Sequence, residues 1–365
     1  MDGRSWRTTA GLTAAALALA ACGAGLAQSS QAPSGAPAAA RSGQWTAESR
    51  QWRDDDGRRR LQLNLRTDGD RDRWGFGVPV ADLQGLPEAA ADGTAAGVAF
   101  SLNREAGTFR FEGSFDRGRG TGGFRFTPNP AYASAMAGLG YRDIPADEIM
   151  RLAVLDVSSA FARQIRDAGQ TGLSLDDLRR FKIHGVSAAG IRDLASLGYR
   201  DLDAETLVRF RIHGATPDVI RAYQAAGLRD LSPADLVRLR IHGVTTEFIR
   251  DMGARGYRNL DAEDLTTMRI HGVTVAEVDE LATLGFKDLS VKDLVQFRIH
   301  GVRPAYVRDI RAAGITGGDG RDYVQMRIHG VSVAMLKDAR DDGETITSAR
   351  DAVQYAIHGR RWRRR

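Results

Sequence analysis

Histidine occurs at seven positions, His184, His213, His242, His271, His300, His329 and His358, each 29 residues from the next. Imidazole can ligate a metal, move a proton near neutral pH, or gain charge in mild acid. A metal needs several ligands within a few ångströms, whereas units copied in tandem set equivalent residues roughly 8–10 Å apart, so one ladder does not share an ion between rungs. General acid–base work would need a partner copied at the same period. None supplies an evident nucleophile, and H-E-x-x-H and G-x-S-x-G are both absent. Two roles stay open. A protonated imidazole at a helix C-terminus is favoured by the macrodipole, which would make the ladder an acid-pH sensor. The simpler role is structural, with each ring bonding the last carbonyls of a helix and packing at a corner.

A basic ladder runs beside the imidazoles. Arg211, Arg240, Arg269, Arg298 and Arg327, with Lys182 in the first rung, stand two residues before a histidine, and Arg192, Arg221, Arg250 and Arg308 form a second series. Acids accompany both, including Asp193, Asp251 and Asp309 and the turn residues Asp201, Asp230 and Asp288. One expectation is an ion-pair lattice between units, worth about 0–1 kcal/mol per exposed pair. The other is a candidate partner-binding ladder, in which Arg211, Arg240, Arg269, Arg298 and Arg327 line a groove for an acidic peptide or glycan.

The elements that must position these residues follow from one unit. Ser232-Pro233-Ala234-Asp235 gives an N-cap, a proline at the first helical position and an acid at the third, a capping box with Asp in place of Glu. Ser174 with Asp177, Asp261 with Asp264, Ser290 with Asp293 and Ser348 with Asp351 repeat it. The helix carries Leu236, Leu239 and Ile241 on its apolar face and stops at His242-Gly243. Thr245 then caps a second helix bearing Phe248, Ile249 and Met252. Helices of about ten residues do not persist alone in water, so each unit is stable only against its neighbours. The columns Leu178, Leu207, Leu236, Leu265, Leu294 and Ile191, Ile220, Ile249, Val278, Val307 supply a continuous core. The first unit is degenerate, with Leu155-Asp156 in place of His-Gly, and the last stops at His358-Gly359, as terminal units of an array do.

Upstream the period changes to two. Leu61, Leu63 and Leu65, then Val98, Phe100 and Leu102, then Phe109 and Phe111, then Phe124 and Phe126 alternate with polar residues, which predicts antiparallel strands with one buried face. Gly118, Gly120 and Gly123 match G-x-G-x-x-G, but Phe124-Arg125-Phe126 continues as a strand where the dinucleotide motif needs a helix, so the glycines read as a hairpin and no cofactor is expected. The predicted fold class is therefore α+β and multidomain, a small antiparallel β domain over 44–128 leading through a short junction into an α-solenoid of two-helix repeats over 129–359.

The termini carry the localisation. Arg4 and Arg7 precede an apolar run from Ala10 to Ala21 that is too short to span a bilayer and suits an export signal over 1–21. Leu19-Ala20-Ala21-Cys22 resembles the bacterial lipobox, which implies lipidation of Cys22, the single cysteine of the chain. Cleavage after Gly25-Leu26-Ala27, releasing a soluble periplasmic protein, satisfies the small-residue rule too. Residues 22–43 read as a flexible tether. Net charge is +5, but Arg360, Arg361, Arg363, Arg364 and Arg365 supply that much alone, so the body is near neutral and lacks the basic stripe of a nucleic-acid binder. The Arg360–Arg365 tail could touch anionic envelope components.

Gly243-Val244-Thr245-Thr246-Glu247-Phe248-Ile249-Arg250 and Gly256-Tyr257, with Trp74-Gly75-Phe76-Gly77-Val78-Pro79 and Gly107-Thr108-Phe109-Arg110-Phe111-Glu112-Gly113 upstream, resemble the envelope-facing extension of antirepressor membrane metallopeptidases related to beta-lactam sensors. That family's membrane helices and H-E-x-x-H site have no counterpart here, so the resemblance implies a stand-alone envelope module without peptidase activity. His213-Gly214-Ala215-Thr216-Pro217 also resembles the join between transcription-activator-like effector repeats, but the base-reading residue pair is missing. The expectation is a non-enzymatic periplasmic scaffold for a protein partner, lipid-anchored to the outer membrane, without metal or nucleic acid. An enzyme or glycan-binding alternative would use the β domain, where Asp54, Asp55, Asp56 and Glu88 are the clustered acids.

Overall fold

The computed structural model describes residues 40–49, 57–68 and 73–359. Seven strands form one antiparallel sheet: β1 (Arg41–Glu48), β2 (Arg60–Thr67), β3 (Arg73–Pro79), β4 (Leu83–Gln84), β5 (Ala95–Arg104), β6 (Gly107–Asp116) and β7 (Arg119–Pro128), in the order β3-β2-β1-β7-β6-β5-β4. The sheet begins at Arg41, ahead of the expected Gln44. Period-two patterning holds along it. Trp45, Leu61, Leu63, Leu65, Phe109, Phe111, Phe124 and Phe126 are buried on one face, while Arg110 and Arg125, directly opposite each other, lie on the other. The β6–β7 hairpin pairs Asp116 with Arg119, so Gly118 turns it at φ +77 and Gly120 and Gly123 belong to β7. Gly120 is there for space, because a Cβ would stand 2.6 Å from the Trp45 ring. A short helix, α1 (Glu88–Asp92), packs on β5, β6 and β7.

From Pro130 the chain is helical. The second-type helices are α2 (Pro130–Ala137), α4 (Ser159–Asp167), α6 (Ala188–Ser196), α8 (Pro217–Ala225), α10 (Thr246–Ala254), α12 (Val275–Thr283), α14 (Pro304–Ala312) and α16 (Val333–Asp341). Between them lie the first-type helices α3 (Ala146–Val154), α5 (Leu175–His184), α7 (Ala204–His213), α9 (Pro233–Ile241), α11 (Ala262–Ile270), α13 (Val291–His300), α15 (Gly320–Ile328) and α17 (Ala349–His358). First-type helices from α5 to α17 stack on one another in sequence order. Second-type helices stack similarly, as in α4 on α6 and α10 on α12. The leucine and isoleucine columns are buried between the layers, which makes this an α+β fold with a helical-repeat array.

Local signals explain the helix boundaries. Ser174, Ser232 and Ser290 each close a full capping box with Asp177, Asp235 and Asp293. Asp261 and Ser348 make only the forward half, accepting from the Asp264 and Asp351 amides. Asp201 and Asp230 stand in the linking turns, as expected, at φ +55, a left-handed conformation Asp tolerates better than most side chains, and among the described residues neither makes the ion pair expected of it.

The junction is built rather than flexible. Glu105, at the β5–β6 turn, accepts hydrogen bonds from the Ser159 amide at 2.9 Å and from its hydroxyl, placing a carboxylate at the N-terminus of α4, where the helix dipole favours it. Arg104 reaches Asp82 and Asp156, both at 3.6 Å, and the Tyr132 hydroxyl donates to the Val157 carbonyl at 2.9 Å. Asp156 takes φ +53 at the register that glycine fills in later units. The degenerate first unit is thus where the array is tied to the sheet.

Candidate functional site

The basic ladder joins unit to unit through the backbone. Arg211 Nε donates to the His184 carbonyl at 3.2 Å, Arg240 to His213 at 3.2 Å, Arg298 to His271 at 2.9 Å and Arg327 to His300 at 3.2 Å. Each accepting carbonyl ends a first-type helix, one of the groups a helix leaves without an internal partner, and the cation sits at the negative end of that helix's dipole. For Arg211, Arg240 and Arg327 the expected ion-pair lattice is therefore replaced by charge-assisted C-capping of the preceding unit. Arg298 alone among the five adds a carboxylate, Glu277, at 2.9 Å. Arg269 lies over the Phe248 ring, 5.2 Å from its centroid. At the other corner Arg311 and Arg340 cap Leu284 and Ala313 in the same way, at 2.8 and 2.7 Å.

The glycine of His-Gly has a double task. Gly272 adopts φ +69, which ends the helix, and a Cβ there would stand 2.6 Å from Arg298 Nη2. At Gly214 the corresponding approach, to Arg240 Nη2, is 3.2 Å. Where the glycine is missing the arginine is missing too: Asp156 occupies the first register, and Lys182 stands at the arginine position, 4.0 Å from the Asp156 carboxylate and 4.9 Å over the Phe161 ring. The Arg-Ile-His-Gly string is thus a self-complementary joint, its arginine clasping the unit before and its glycine accepting the unit after.

The histidines sit at the helix C-termini, half-buried from His184 to His300 and exposed at His329 and His358. The bonds expected from their rings to the last carbonyls are made by arginine instead. Among the described residues only the His300 ring hydrogen-bonds, donating from Nε2 to Gln296 Oε1 at 3.1 Å. No group of three potential ligands stands together to hold a metal among the described residues.

Between each ladder arginine and histidine lies the feature that sequence reasoning missed. Ile183, Ile212, Ile241, Ile270, Ile299, Ile328 and Ile357 are all exposed, from 59% at Ile183 to 48% at Ile357. Ile241 was expected on the buried face with Leu236 and Leu239. It lies five residues after Leu236, roughly 140° round the helix, and Val237 is buried instead. One exposed apolar residue on a surface needs no explanation, but seven of one type in one register form a stripe along the stacked first-type helices. One turn earlier, beside each isoleucine, stand Arg180, Arg209 and Arg238, then Thr267, Gln296, Gln325 and Gln354. The exact repetition of isoleucine in the sequence was the available signal.

Buried and half-buried titratable groups hold units together. Tyr223 donates to the Val244 carbonyl at 2.6 Å, Tyr306 to Val331 at 2.9 Å and Tyr199 to Leu231 at 2.8 Å. Burial pushes the Tyr306 phenol up to about 12 and raises Tyr132, Tyr199 and Tyr223 as well, so all remain neutral donors. Glu277 is a buried acid in a register filled elsewhere by Val219, Phe248 and Met335. Its burial raises the carboxyl above the usual range, against the opposing pull of Arg298.

In the β domain Glu88 pairs with Arg59 at 3.6 Å, while Asp54, Asp55 and Asp56 lie outside the described residues. Cys22, the export signal and the Arg360–Arg365 tail lie outside them too. No described helix is long and apolar enough to cross a membrane. No protein-family model matches the chain, and no curated protein matches it.

Proposed function

We propose that the chain is a non-enzymatic bacterial envelope protein, lipid-anchored at the outer membrane through Cys22, whose helical array is a scaffold for one extended protein partner. The observation that carries this reading is the isoleucine stripe, an apolar register that folding leaves outside in all seven histidine-bearing units, whereas the same register in the degenerate first unit, Val154, is buried. Keeping an apolar side chain exposed at one position of each copy contributes nothing to the core, so a contact outside the chain is its physical use. The ladder of Arg211, Arg240, Arg269, Arg298 and Arg327 forms a cationic rim beside it, Arg298 with its Nη1 already given to Glu277. A part in envelope sensing, without peptidase activity, agrees with the resemblance of the repeat strings to sensor extensions.

Mass spectrometry of the mature N-terminus tests the anchor: a lipidated Cys22 is expected, and an unmodified N-terminus at Gln28 would overturn it. The scaffold is tested with the full chain as bait in envelope extract, compared with an Ile212→Glu, Ile270→Glu, Ile328→Glu variant of unchanged helicity. A protein retained by the parent and lost by the variant is the expected result. Equal retention by both would remove the stripe from binding.

A further inference from the structure

Resting on that reading, we infer that the stripe takes an acidic segment in the polyproline II conformation, with an apolar side chain at every third position. Repeat spacing selects the conformation. Packed helix layers stand roughly 8–10 Å apart, so successive isoleucines recur at about that interval. A polyproline II helix has three residues per turn and a rise of ~3.1 Å, which returns a side chain to one face about every 9 Å. A β-strand returns one about every 6.7 Å and falls out of register within two rungs. An α-helix approaches the interval only at every seventh residue, about 10.5 Å.

Hydrogen-bonding capacity makes the same choice. A polyproline II backbone has no internal hydrogen bonds, so its carbonyls need donors. The rungs present them one helical turn from the isoleucines: guanidinium groups at Arg180, Arg209 and Arg238, and side-chain amides at Gln296, Gln325 and Gln354. In the α13 rung the Gln296 oxygen is taken by His300, which leaves its amide hydrogens to donate outward or to a ligand. A bound α-helix, its own carbonyls satisfied, would leave these donors unused.

Charge sets the composition and the direction. The three cations occupy successive rungs at the end of the stripe nearer the β domain, and the neutral amides occupy the far end. Arg209 makes no ion pair among the described residues, while Arg180 and Arg238 hold only within-helix partners, Asp177 and Asp235. Such exposed pairs are weak and exchange readily for a ligand carboxylate. The ligand's acidic residues therefore lie over Arg180, Arg209 and Arg238, and its neutral portion over the glutamines.

Fluorescence anisotropy with the full chain and a labelled peptide of tandem Leu-Pro-Glu triplets tests this. Saturable binding is expected, weakened about tenfold or more by Ile212→Gln, Ile241→Gln, Ile270→Gln and by Arg209→Gln, with affinity falling as salt rises. Tandem Leu-Pro-Lys triplets and an alternating Leu-Glu peptide should bind at least about tenfold more weakly. Equal binding of the alternating peptide would overturn the spacing argument, and equal binding of the lysine peptide the charge argument. Isoleucine-dependent cosedimentation with vesicles containing phosphatidylglycerol, or isoleucine-dependent dimerisation in sedimentation velocity, without peptide binding would assign the stripe to a lipid surface or a second copy. Failure of the triplet peptide while partner capture still depends on the isoleucines would discard the polyproline II ligand and leave the scaffold reading intact.

Discussion

At the scale of single residues, the joint between units rests on a glycine that must be left-handed and must also admit a guanidinium. These demands are separable, because a Cβ on Gly330, at φ +74, would meet nothing within 4 Å, whereas one on Gly272, at φ +69, would meet Arg298 Nη2 at 2.6 Å. Gly330→Ala should cost about 1–2 kcal/mol for the left-handed backbone alone. Gly272→Ala should cost more, since the Arg298 bond to the His271 carbonyl is disturbed as well; equal losses in denaturant titrations would refute the joint. Glu277 gives a pH prediction. Its carboxyl is raised in the fold, so the folded chain binds that proton more tightly than the unfolded chain, and the stability it confers is lost as pH rises from the ordinary carboxylate range through the raised value. Glu277→Gln should therefore melt at or above the parent at neutral pH, with the difference shrinking below about pH 4. A variant that melts lower at neutral pH would show that the Arg298 ion pair outweighs burial.

At the scale of elements, short helices depend on their caps and on their neighbours. Asp235 is held below the usual carboxylate range, first by the Ser232 hydroxyl and then by Arg238. Its contribution is present at neutral pH and is lost as pH falls through that depressed value. Ser232→Ala should cost about 1 kcal/mol at neutral pH and less once Asp235 is protonated, because the hydroxyl gives up its bond to the carboxylate but still accepts from the Asp235 amide at 3.1 Å; thermal melts followed by circular dichroism, stepped down from pH 7 to below the depressed value, would resolve the difference. Caps of this kind were legible in the sequence because both partners lie within four residues. Helix identities, the hairpin at Gly118 and the buried leucine columns were legible for the same reason, through local period. The arginine joint was not, because Arg240 bonds a carbonyl 27 positions earlier, a relation that exists only once helices are stacked. Ile241 was misplaced for a related reason: in a helix of nine residues, apolar letters near the end count toward a face that the last turn has already rotated away from.

At the scale of the whole molecule, an array in which each unit touches only its neighbours should tolerate loss of a complete unit and not of a part. Deleting residues 243–271 joins His242 to Gly272 and restores every joint, so helicity per residue should be kept with a lower melting temperature. Deleting 246–259 removes one layer's helix and should abolish cooperative unfolding. If both deletions behave alike, nearest-neighbour stacking is not what stabilises the chain. The same periodicity that makes the fold modular also carries one isoleucine to the surface in each of the seven histidine-bearing units, and there the functional account stands or falls. The most direct test places a photo-crosslinking amino acid at Ile241 in the full chain, and separately at Arg250, an exposed residue on the second helix of the same unit, in the native host. A discrete protein adduct at Ile241 that is absent at Arg250 is the predicted result. No adduct at Ile241, or the same adducts at both positions, would contradict the claim that the stripe is the partner-binding face.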